Sequence, residues 1–193
     1  RNSRISSTRQ QQPLGLGHAV WCARHFIADE PFAVLLADDL IMAKPGCLKQ
    51  MMSVYSQTGG NIVASEEVPT EQTNRYGILD VIEDDGLLAR AKGLVEKPEP
   101  SQAPSNLCII GRYILQPEVF YHLSKQEQGA GGEIQLTDAL AKTIDTISFH
   151  GLRFKGRRFD CGSKLGFLEA QIAFALARDD LSDGIRQILK KYK

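Results

Sequence analysis

The stretch VLLADDL, residues 34–40, indicates what kind of fold this chain adopts. It overlaps a run, PFAVLLA at 31–37, that is apolar at every position, and two aspartates, Asp38 and Asp39, end that run. Continuous apolar character predicts a fully buried strand in the sheet of an α/β domain. Because ligands of open α/β sheets bind beyond the carboxyl ends of the strands, these carboxylates are expected at the mouth of a site.

A carboxylate at the end of a buried strand has two interpretations. Its oxygens suit a hard cation such as Mg²⁺, which takes oxygen ligands and keeps several waters. Alternatively, the aspartate caps the following turn through its side chain. Neighbouring side chains on an extended chain point in opposite directions, so at most one of Asp38 and Asp39 is expected to face the site.

The segments around this strand alternate between helical and extended patterns. The predicted helices cover 17–27, 46–57, 117–125 and 134–146, and two amphipathic helices close the chain over 163–193. The predicted strands cover 61–68, 76–82, 87–98 and 105–115, with a pair of short strands in 147–160. This order predicts a single α/β domain over residues 1–193 with a mixed central sheet.

Size and charge narrow the function classes. The 193 residues suit one ordinary domain, and equal numbers of basic and acidic side chains, 23 of each, give no reason to expect nucleic acid or an anionic membrane as a partner. We interpret the basic runs at 155–158 and 190–193 as solvated faces. No stretch approaches the roughly 20 consecutive apolar residues of a membrane span.

The four cysteines are scattered along the chain and form no C-x-x-C pair, which argues against a zinc site. Unpaired thiols of this kind are typical of a reducing compartment. We therefore expect a cytoplasmic protein.

Three further stretches carry chemically useful side chains, each with a plain structural alternative. Asp160, in RRFDCGSKLGF, ends a predicted strand and would share a cation with Asp38 only if the fold brings the two together. Glu96 and Lys97, in GLVEKPEP, suit a sugar hydroxyl and a phosphate, or form a solvated surface pair. Gly15, in GLGHAV, precedes a helix, but the stretch is not the dinucleotide-binding G-x-G-x-x-G.

Seven stretches, taken in chain order, resemble the bacterial UTP–glucose-1-phosphate uridylyltransferases, a branch of the sugar nucleotidyltransferases. They are RQQQPLGLGHAV (9–20), LLADDLI (35–41), RYGILD (75–80), GLVEKP (93–98), PSNLCIIGRYIL (104–115), GGEIQLTDAL (131–140) and FDCGSKLGFLEA (159–170). GLGHAV, EIQLTDA and DCGSKLG together are specific to this branch. The resemblance covers nearly the whole chain.

The resemblance implies a Rossmann-like nucleotidyltransferase fold with a mixed central sheet. It also implies the Mg²⁺-dependent reaction of UTP with glucose 1-phosphate to give UDP-glucose and pyrophosphate. In that reaction Asp38 would bind Mg²⁺, Asp160 would be the second carboxylate, and Asp39 would be an outward-facing neighbour. Lys97 would hold the phosphate group of glucose 1-phosphate.

The remaining roles that the resemblance implies concern the sugar and the base. Gly77 would let the backbone approach the glucose ring, and Glu96 would accept hydrogen bonds from sugar hydroxyls. Glu133 would lie near the sugar pocket. Gln10 and the backbone of Gly15 would hold the uracil edge.

One departure from the family pattern concerns the start of the chain. Members of the family open with a glycine-rich G-x-G-T-R loop and a P-K-E-M stretch, which carry the first strand and the cationic groups that grip the triphosphate. Residues 1–193 do not contain that segment, so we expect a fold incomplete at the N-terminus, exposed apolar surface, and little or no activity from this chain alone. The family also leads us to expect a homo-oligomer.

Two alternatives stay open beside the uridylyltransferase. One is a non-catalytic regulatory homologue that binds sugar nucleotide, and the presence of Gly77 and Glu133 argues against it. The other is a sister enzyme that uses dTTP or another sugar 1-phosphate. The stretches GLGHAV and EIQLTDA argue against this second alternative.

Overall fold

A computed structural model describes residues 5–192 of the chain, so residues 1–4 and 193 of the predicted domain lie outside it. The strands are β1 (Phe32–Leu35), β2 (Asp39–Met42), β3 (Asn61–Glu67), β4 (Gly77–Asp84), β5 (Leu88–Glu96), β6 (Leu107–Leu115), β7 (Phe149–Arg153) and β8 (Arg157–Asp160). The α-helices are α1 (Leu16–Cys22), α2 (Arg24–Ile27), α3 (Cys47–Thr58), α4 (Val119–Leu123), α5 (Leu136–Ala141), α6 (Lys164–Leu176) and α7 (Ser182–Lys190).

The main sheet has six strands in the order β1-β6-β3-β7-β5-β4. Strands β3 and β7 are parallel, whereas β1–β6, β3–β6, β5–β7 and β4–β5 are antiparallel. The predicted mixed sheet is therefore confirmed. Strand β6 lies between β1 and β3 and also pairs with the start of β4, where Ile78 is opposite Cys108.

Helices cover both faces of the sheet, which gives the α/β layering expected from the sequence. On one face, side chains of α1, α4 and α5 pack on the sheet around Leu79, Leu115 and Phe149, which are fully buried. On the other face, α3 places Met51 against Ile62 in β3 and Ile110 in β6. The core therefore lies on both sides of the central strands.

The prediction that 31–37 forms a fully buried strand is wrong. Strand β1 pairs only with β6, and its residues alternate between half-buried and exposed, with Leu35 51% exposed. Phe32 and Val34 pack against the core, and together with Ile27 they line an apolar groove between β1 and the first two helices. Within residues 5–192 the outer edge of β1 has no partner strand, so the expected exposed apolar surface lies here.

Several element boundaries also differ from the predictions. The helix predicted over 17–27 is divided at Ala23 into α1 and α2, and the helix predicted over 134–146 is only Leu136–Ala141. The two short strands predicted in 147–160 are present as β7 and β8, but they belong to different sheets because β8 pairs with β2. Strand β2 itself was not predicted, since its four residues begin at Asp39, directly after the Ala37–Asp38 turn, and form no separate pattern.

The closing helices α6 and α7 are confirmed in place. Helix α6 buries little of its apolar surface: Ala170 is buried, whereas Leu165 is 78% exposed and Leu168 is 57% exposed. None of the helices within residues 5–192 has both the length and the apolar character needed to cross a membrane.

Candidate active site

A cleft of about 270 Å³ opens where strands β1 and β5 end and strand β4 begins. Five of the residues singled out from the sequence line it, namely Asp38, Asp39, Gly77, Glu96 and Asp160. The other side of the cleft is formed by the start of α5, including Thr137. The fold therefore brings distant stretches of the sequence to one place.

Asp38 and Asp160 are held next to each other by the pairing of β2 with β8. Asp39, the first residue of β2, lies opposite Asp160, and the Cys161 N–H donates to the Asp38 carbonyl at 2.7 Å. A Cβ built on Gly162 would lie 3.1 Å from Asp160 Oδ1 and 3.8 Å from Asp38 Oδ2, so both carboxylates border the same glycine. A shared cation requires that Asp38 and Asp160 lie close together, and the fold meets this requirement.

The donor set suits a hard cation. Both carboxylates border the cleft, and Asp160 also accepts from the Gly162 N–H at 3.0 Å and lies 3.6 Å from the Arg75 guanidinium. Among residues 5–192 no group of three or more His, Cys, Asp or Glu side chains is arranged to hold a metal. A cation between two carboxylates would take its remaining ligands from water and from substrate phosphates, as Mg²⁺ commonly does.

Asp39 is not the outward-facing neighbour that the sequence led us to expect. Its side chain is only 11% exposed, and one carboxylate oxygen accepts from the Gly111 N–H in β6 at 2.9 Å. The other oxygen accepts from Arg158 Nε at 2.5 Å. The alternation rule does not apply because Asp38 lies in a turn, outside extended backbone, so that both aspartates border the cleft although Asp38 is exposed and Asp39 is buried.

Arg158 is the second correction, because it belongs to a basic run interpreted as a solvated face. Its side chain is 11% exposed and its guanidinium lies 5.3 Å from the centre of the Tyr76 ring. Burial lowers the pKa of Arg158, but interactions with Tyr76 and Asp39 raise it, and the net pKa lies above the ordinary value. A single arginine in a short basic run carries no signal of this buried position.

Gly77 and Glu96 face each other across the β4–β5 pair at the sugar end predicted for the cleft. A Cβ on Gly77 would lie 2.9 Å from Thr137 Oγ1 and 3.2 Å from Glu96 Oε2, so only glycine leaves this corner open. The Glu96 side chain is 11% exposed and lines the cleft. Thr137, which no sequence pattern singled out, completes this corner and is 7% exposed.

Lys97 follows Glu96 with its backbone in an uncommon conformation. Its φ of 46° lies in the left-handed region, and its N–H donates to the Tyr76 carbonyl at 2.9 Å. Non-glycine residues with positive φ are uncommon and cluster at functional sites. The Lys97 ammonium is 3.6 Å from Glu96 Oε1 and half-exposed, so it stands at the rim of the cleft next to that carboxylate.

Gln10 and Gly15 lie together, and neither of them lines the cleft. The Gln10 amide donates to the Gly15 carbonyl at 3.0 Å and lies 2.9 Å from His18 Nδ1. Gly15 has φ 101°, and a Cβ at this position would lie 2.9 Å from the Ile134 carbonyl oxygen. Glycine is therefore required here because the backbone packs closely against the segment that enters α5. These residues form one cluster, although the Gly15 carbonyl is already bonded within the chain.

Glu133 is exposed and lies outside the cleft lining. Its Oε2 accepts from the Gln135 amide at 3.2 Å, and its Cβ borders Gly15. Glu133 therefore lies next to the Gly15 cluster, and Gln135 connects it to the cleft. Gln135 itself lines the cleft and was not singled out from the sequence.

The cleft floor contains a buried phenol. Tyr113 in β6 is 6% exposed, and burial, with smaller contributions from Glu96 and Asp39, raises its pKa well above the usual range. Tyr113 is therefore neutral at every physiological pH. It offers the cleft a hydroxyl group with no charge.

The chain is similar to known proteins in both sequence and fold. A family model described as nucleotidyl transferase matches residues 2–175. Among curated proteins, the UTP–glucose-1-phosphate uridylyltransferase of Komagataeibacter xylinus is 59% identical over 151 residues, which are 78% of this chain and 53% of the relative. The enzyme of the same name from Bacillus subtilis (strain 168) is 49% identical over 179 residues, 93% of this chain and 61% of the relative.

A solved structure described as UDP-glucose pyrophosphorylase complexed with UDP-glucose is also similar. It superposes with a TM-score of 0.84 at 44% identity, covering 90% of this chain and 66% of that one. The chain thus spans between about half and two thirds of the length of these relatives.

Proposed function

This chain belongs to the nucleotidyl transferase family, and we propose that the protein of which it forms part transfers the uridylyl group of UTP to glucose 1-phosphate. The products are UDP-glucose and pyrophosphate. The observation that carries the proposal is the meeting of Asp38, Asp160, Gly77 and Glu96 in one cleft. The similarity to named uridylyltransferases supports the choice of substrates.

We propose that Asp38 and Asp160 hold Mg²⁺. Their carboxylates border the same glycine and line the cleft, and carboxylate oxygens are ligands that Mg²⁺ takes. A Mg²⁺ ion held by these two residues would offset the negative charge that develops on the phosphates during transfer. The role of the protein is to keep the two carboxylates at a fixed separation.

The sugar phosphate would lie along the β4–β5 end of the cleft. In this proposal Glu96 accepts hydrogen bonds from sugar hydroxyls, and the open corner at Gly77 admits the ring. Lys97, at the rim, binds the phosphate as a compact positive charge. Glu133 would contribute from the edge of the sugar pocket.

The uracil base would bind near the Gln10–Gly15 cluster, which packs against the segment that enters α5. The side-chain amide nitrogen of Gln10 donates to the Gly15 carbonyl, which orients the Gln10 side chain. The side-chain oxygen of Gln10 is then available to accept a hydrogen bond from the base. An amide and adjacent backbone groups can read a pyrimidine edge by hydrogen bonds.

The reaction then needs positioning and charge neutralisation, without a covalent intermediate. A phosphate oxygen of the sugar phosphate attacks the α-phosphorus of UTP in line, and pyrophosphate leaves. Lys97 and Glu96 orient the nucleophile, while the Asp38–Asp160 pair anchors the end where negative charge accumulates.

The direct test uses the full-length protein. Pyrophosphate release should require UTP, glucose 1-phosphate and Mg²⁺ together, and omission of any one should abolish it. Equal turnover with dTTP would assign the protein to the sister enzymes instead. Binding of UDP-glucose without any turnover would support the regulatory alternative.

Two further properties are part of the proposal. All four cysteines are free thiols, which fits the reducing cytoplasm. The exposed apolar side chains of α6 and α7 fit a homo-oligomer, which light scattering of the full-length protein would detect.

A further inference from the structure

A nearly buried ion pair lies next to the two cleft carboxylates and borders the cleft itself. Asp39 and Arg158 are each only 11% exposed at their side chains, and Arg158 Nε donates to Asp39 Oδ1 at 2.5 Å. Burying two charges costs free energy that their mutual attraction only sometimes repays, so such a pair is weak evidence of stabilisation. The position of the pair beside the cleft therefore indicates a role other than stabilising the fold.

The pair joins the small sheet to the main sheet. Asp39 belongs to β2, and its Oδ2 accepts from the Gly111 N–H in β6. A Cβ on Gly111 would lie 2.6 Å from that same oxygen, so glycine is needed for this approach. Arg158 belongs to β8 and lies 3.6 Å from Glu66 Oε2 in β3.

The turn that carries Asp38 is fixed by the same network. Arg112 in β6 donates to the Leu36 carbonyl at 2.9 Å and also to the Asp39 carbonyl, one residue on either side of the Ala37–Asp38 turn. Asp39 is opposite Asp160 in the β2–β8 pair. A shift of Asp39 would therefore move both cleft carboxylates relative to the rest of the cleft.

We propose that the Asp39–Arg158 pair is a positioning device that sets the separation between the Asp38 and Asp160 carboxylates and so sets the affinity of the cleft for its divalent cation. The inference rests on the proposed function of the cleft and adds two positioning residues to it. Both residues border the cleft, but their charged groups bond each other and the Gly111 N–H, so the role assigned to them is to position the two carboxylates. Outer-shell partners of this kind orient metal ligands and tune metal binding.

The test measures Mn²⁺ binding by electron paramagnetic resonance in the full-length protein with UTP, alongside turnover with Mg²⁺. Asp39→Asn and Arg158→Gln should each weaken Mn²⁺ binding about 10- to 100-fold, the range found when outer-shell partners of metal ligands are removed. Because the Asp39 and Arg158 side chains bond neither Glu96 nor the Lys97 ammonium, the KM for glucose 1-phosphate should change by less than about twofold.

Arg153→Gln is the matched control. Arg153 pairs with Asp84 at 2.8 Å and with Glu67 at 3.1 Å, and none of these three residues lines the cleft. This variant should lower thermal stability only slightly, as the loss of a more exposed pair does, and should leave Mn²⁺ affinity unchanged. If Arg158→Gln likewise loses stability alone, with wild-type Mn²⁺ affinity, the pair is structural and the inference is wrong.

Arg158→Lys is a second variant that tests the inference if Arg158→Gln does not fold. It keeps the charge but lacks the planar guanidinium that bonds Asp39 and faces Tyr76, so it should fold and still weaken Mn²⁺ binding. Unchanged Mn²⁺ affinity in a folded Arg158→Lys overturns the inference. Mn²⁺ binding in the presence of UTP can be measured without turnover. If the wild type does not use glucose 1-phosphate, the proposed function is therefore wrong, whereas the positioning role is still tested by Mn²⁺ binding.

Discussion

Gly77 lies directly opposite Glu96 where β4 pairs with β5, and a Cβ on Gly77 would lie 3.2 Å from the Glu96 carboxylate and 2.9 Å from the Thr137 hydroxyl. The only side chain that fits this corner without displacing a neighbour is the hydrogen of glycine. The open space beside a nearly buried carboxylate is the feature of the cleft best suited to a sugar ring.

Gly77→Ala should therefore impair sugar binding. The added methyl group displaces Glu96 or Thr137, and a misplacement of this size raises the KM for glucose 1-phosphate about tenfold or more. Gly93→Ala is the control in the same hairpin, because its Cβ would lie 3.5 Å from Asp80 in ordinary contact. Steady-state kinetics of both variants measure the effect, and a wild-type KM in Gly77→Ala would contradict the proposed sugar pocket.

Turnover should depend strongly on the carboxylates of Asp38 and Asp160. Asp38→Asn and Asp160→Asn each remove one anionic ligand of the proposed cation, so we expect kcat to fall about 100-fold or more. Asp180→Asn provides the comparison, because Asp180 is exposed, pairs with Arg178 and does not line the cleft. Pyrophosphate release by the full-length variants measures the loss. Retention of turnover in either cleft variant would remove that residue from the metal site.

Lys97→Met should weaken phosphate binding specifically. Loss of a charge-assisted contact is expected to raise the KM for glucose 1-phosphate about tenfold, while the KM for UTP changes little. Lys92→Met tests whether any half-exposed lysine of the same strand region has this effect, since Lys92 pairs with Asp80 on β4. Equal KM values for Lys97→Met and Lys92→Met would contradict a phosphate-binding role.

The Arg153–Asp84 pair should contribute stability that depends on pH. Two hydrogen bonds from Arg153, each 2.8 Å, hold the pKa of Asp84 below its ordinary value of 3.8. The contribution is therefore present above the ordinary pKa and is lost as pH falls through the lowered one. Asp84→Asn should reduce the free energy of unfolding by about 0.5 kcal/mol at neutral pH.

Urea denaturation across the acid range checks this sign. The difference in unfolding free energy between wild type and Asp84→Asn should stay constant from neutral pH to the ordinary Asp pKa and disappear in stronger acid. A difference that grows on acidification would mean that Asp84 is not stabilised as an anion.

The α/β class, the mixed sheet and the helices on either side could be predicted from the sequence because they depend on local periodicity and on the resemblance to a family. The residues that meet in the cleft could also be predicted, but only through that resemblance. Taken alone, Asp38 and Asp160 had equally ordinary interpretations as turn residues, since no local pattern reports that β2 pairs with β8.

The failures have a common physical origin in long-range packing. Strand β1 was expected to be buried because it is continuously apolar, yet burial depends on a neighbouring strand that residues 5–192 do not contain. Asp39 and Arg158 were expected in solvent because charged residues usually are. Their burial depends on each other and on Gly111, all from separate stretches of the chain.

A crystal structure of the full-length protein with UDP-glucose and Mn²⁺ would examine the metal site and the sugar pocket of the cleft together. Anomalous scattering should locate Mn²⁺ in contact with both Asp38 and Asp160, with the glucose ring against Gly77 and Glu96. A metal peak that contacts neither aspartate, or a glucose ring bound outside this cleft, would contradict the proposed active site.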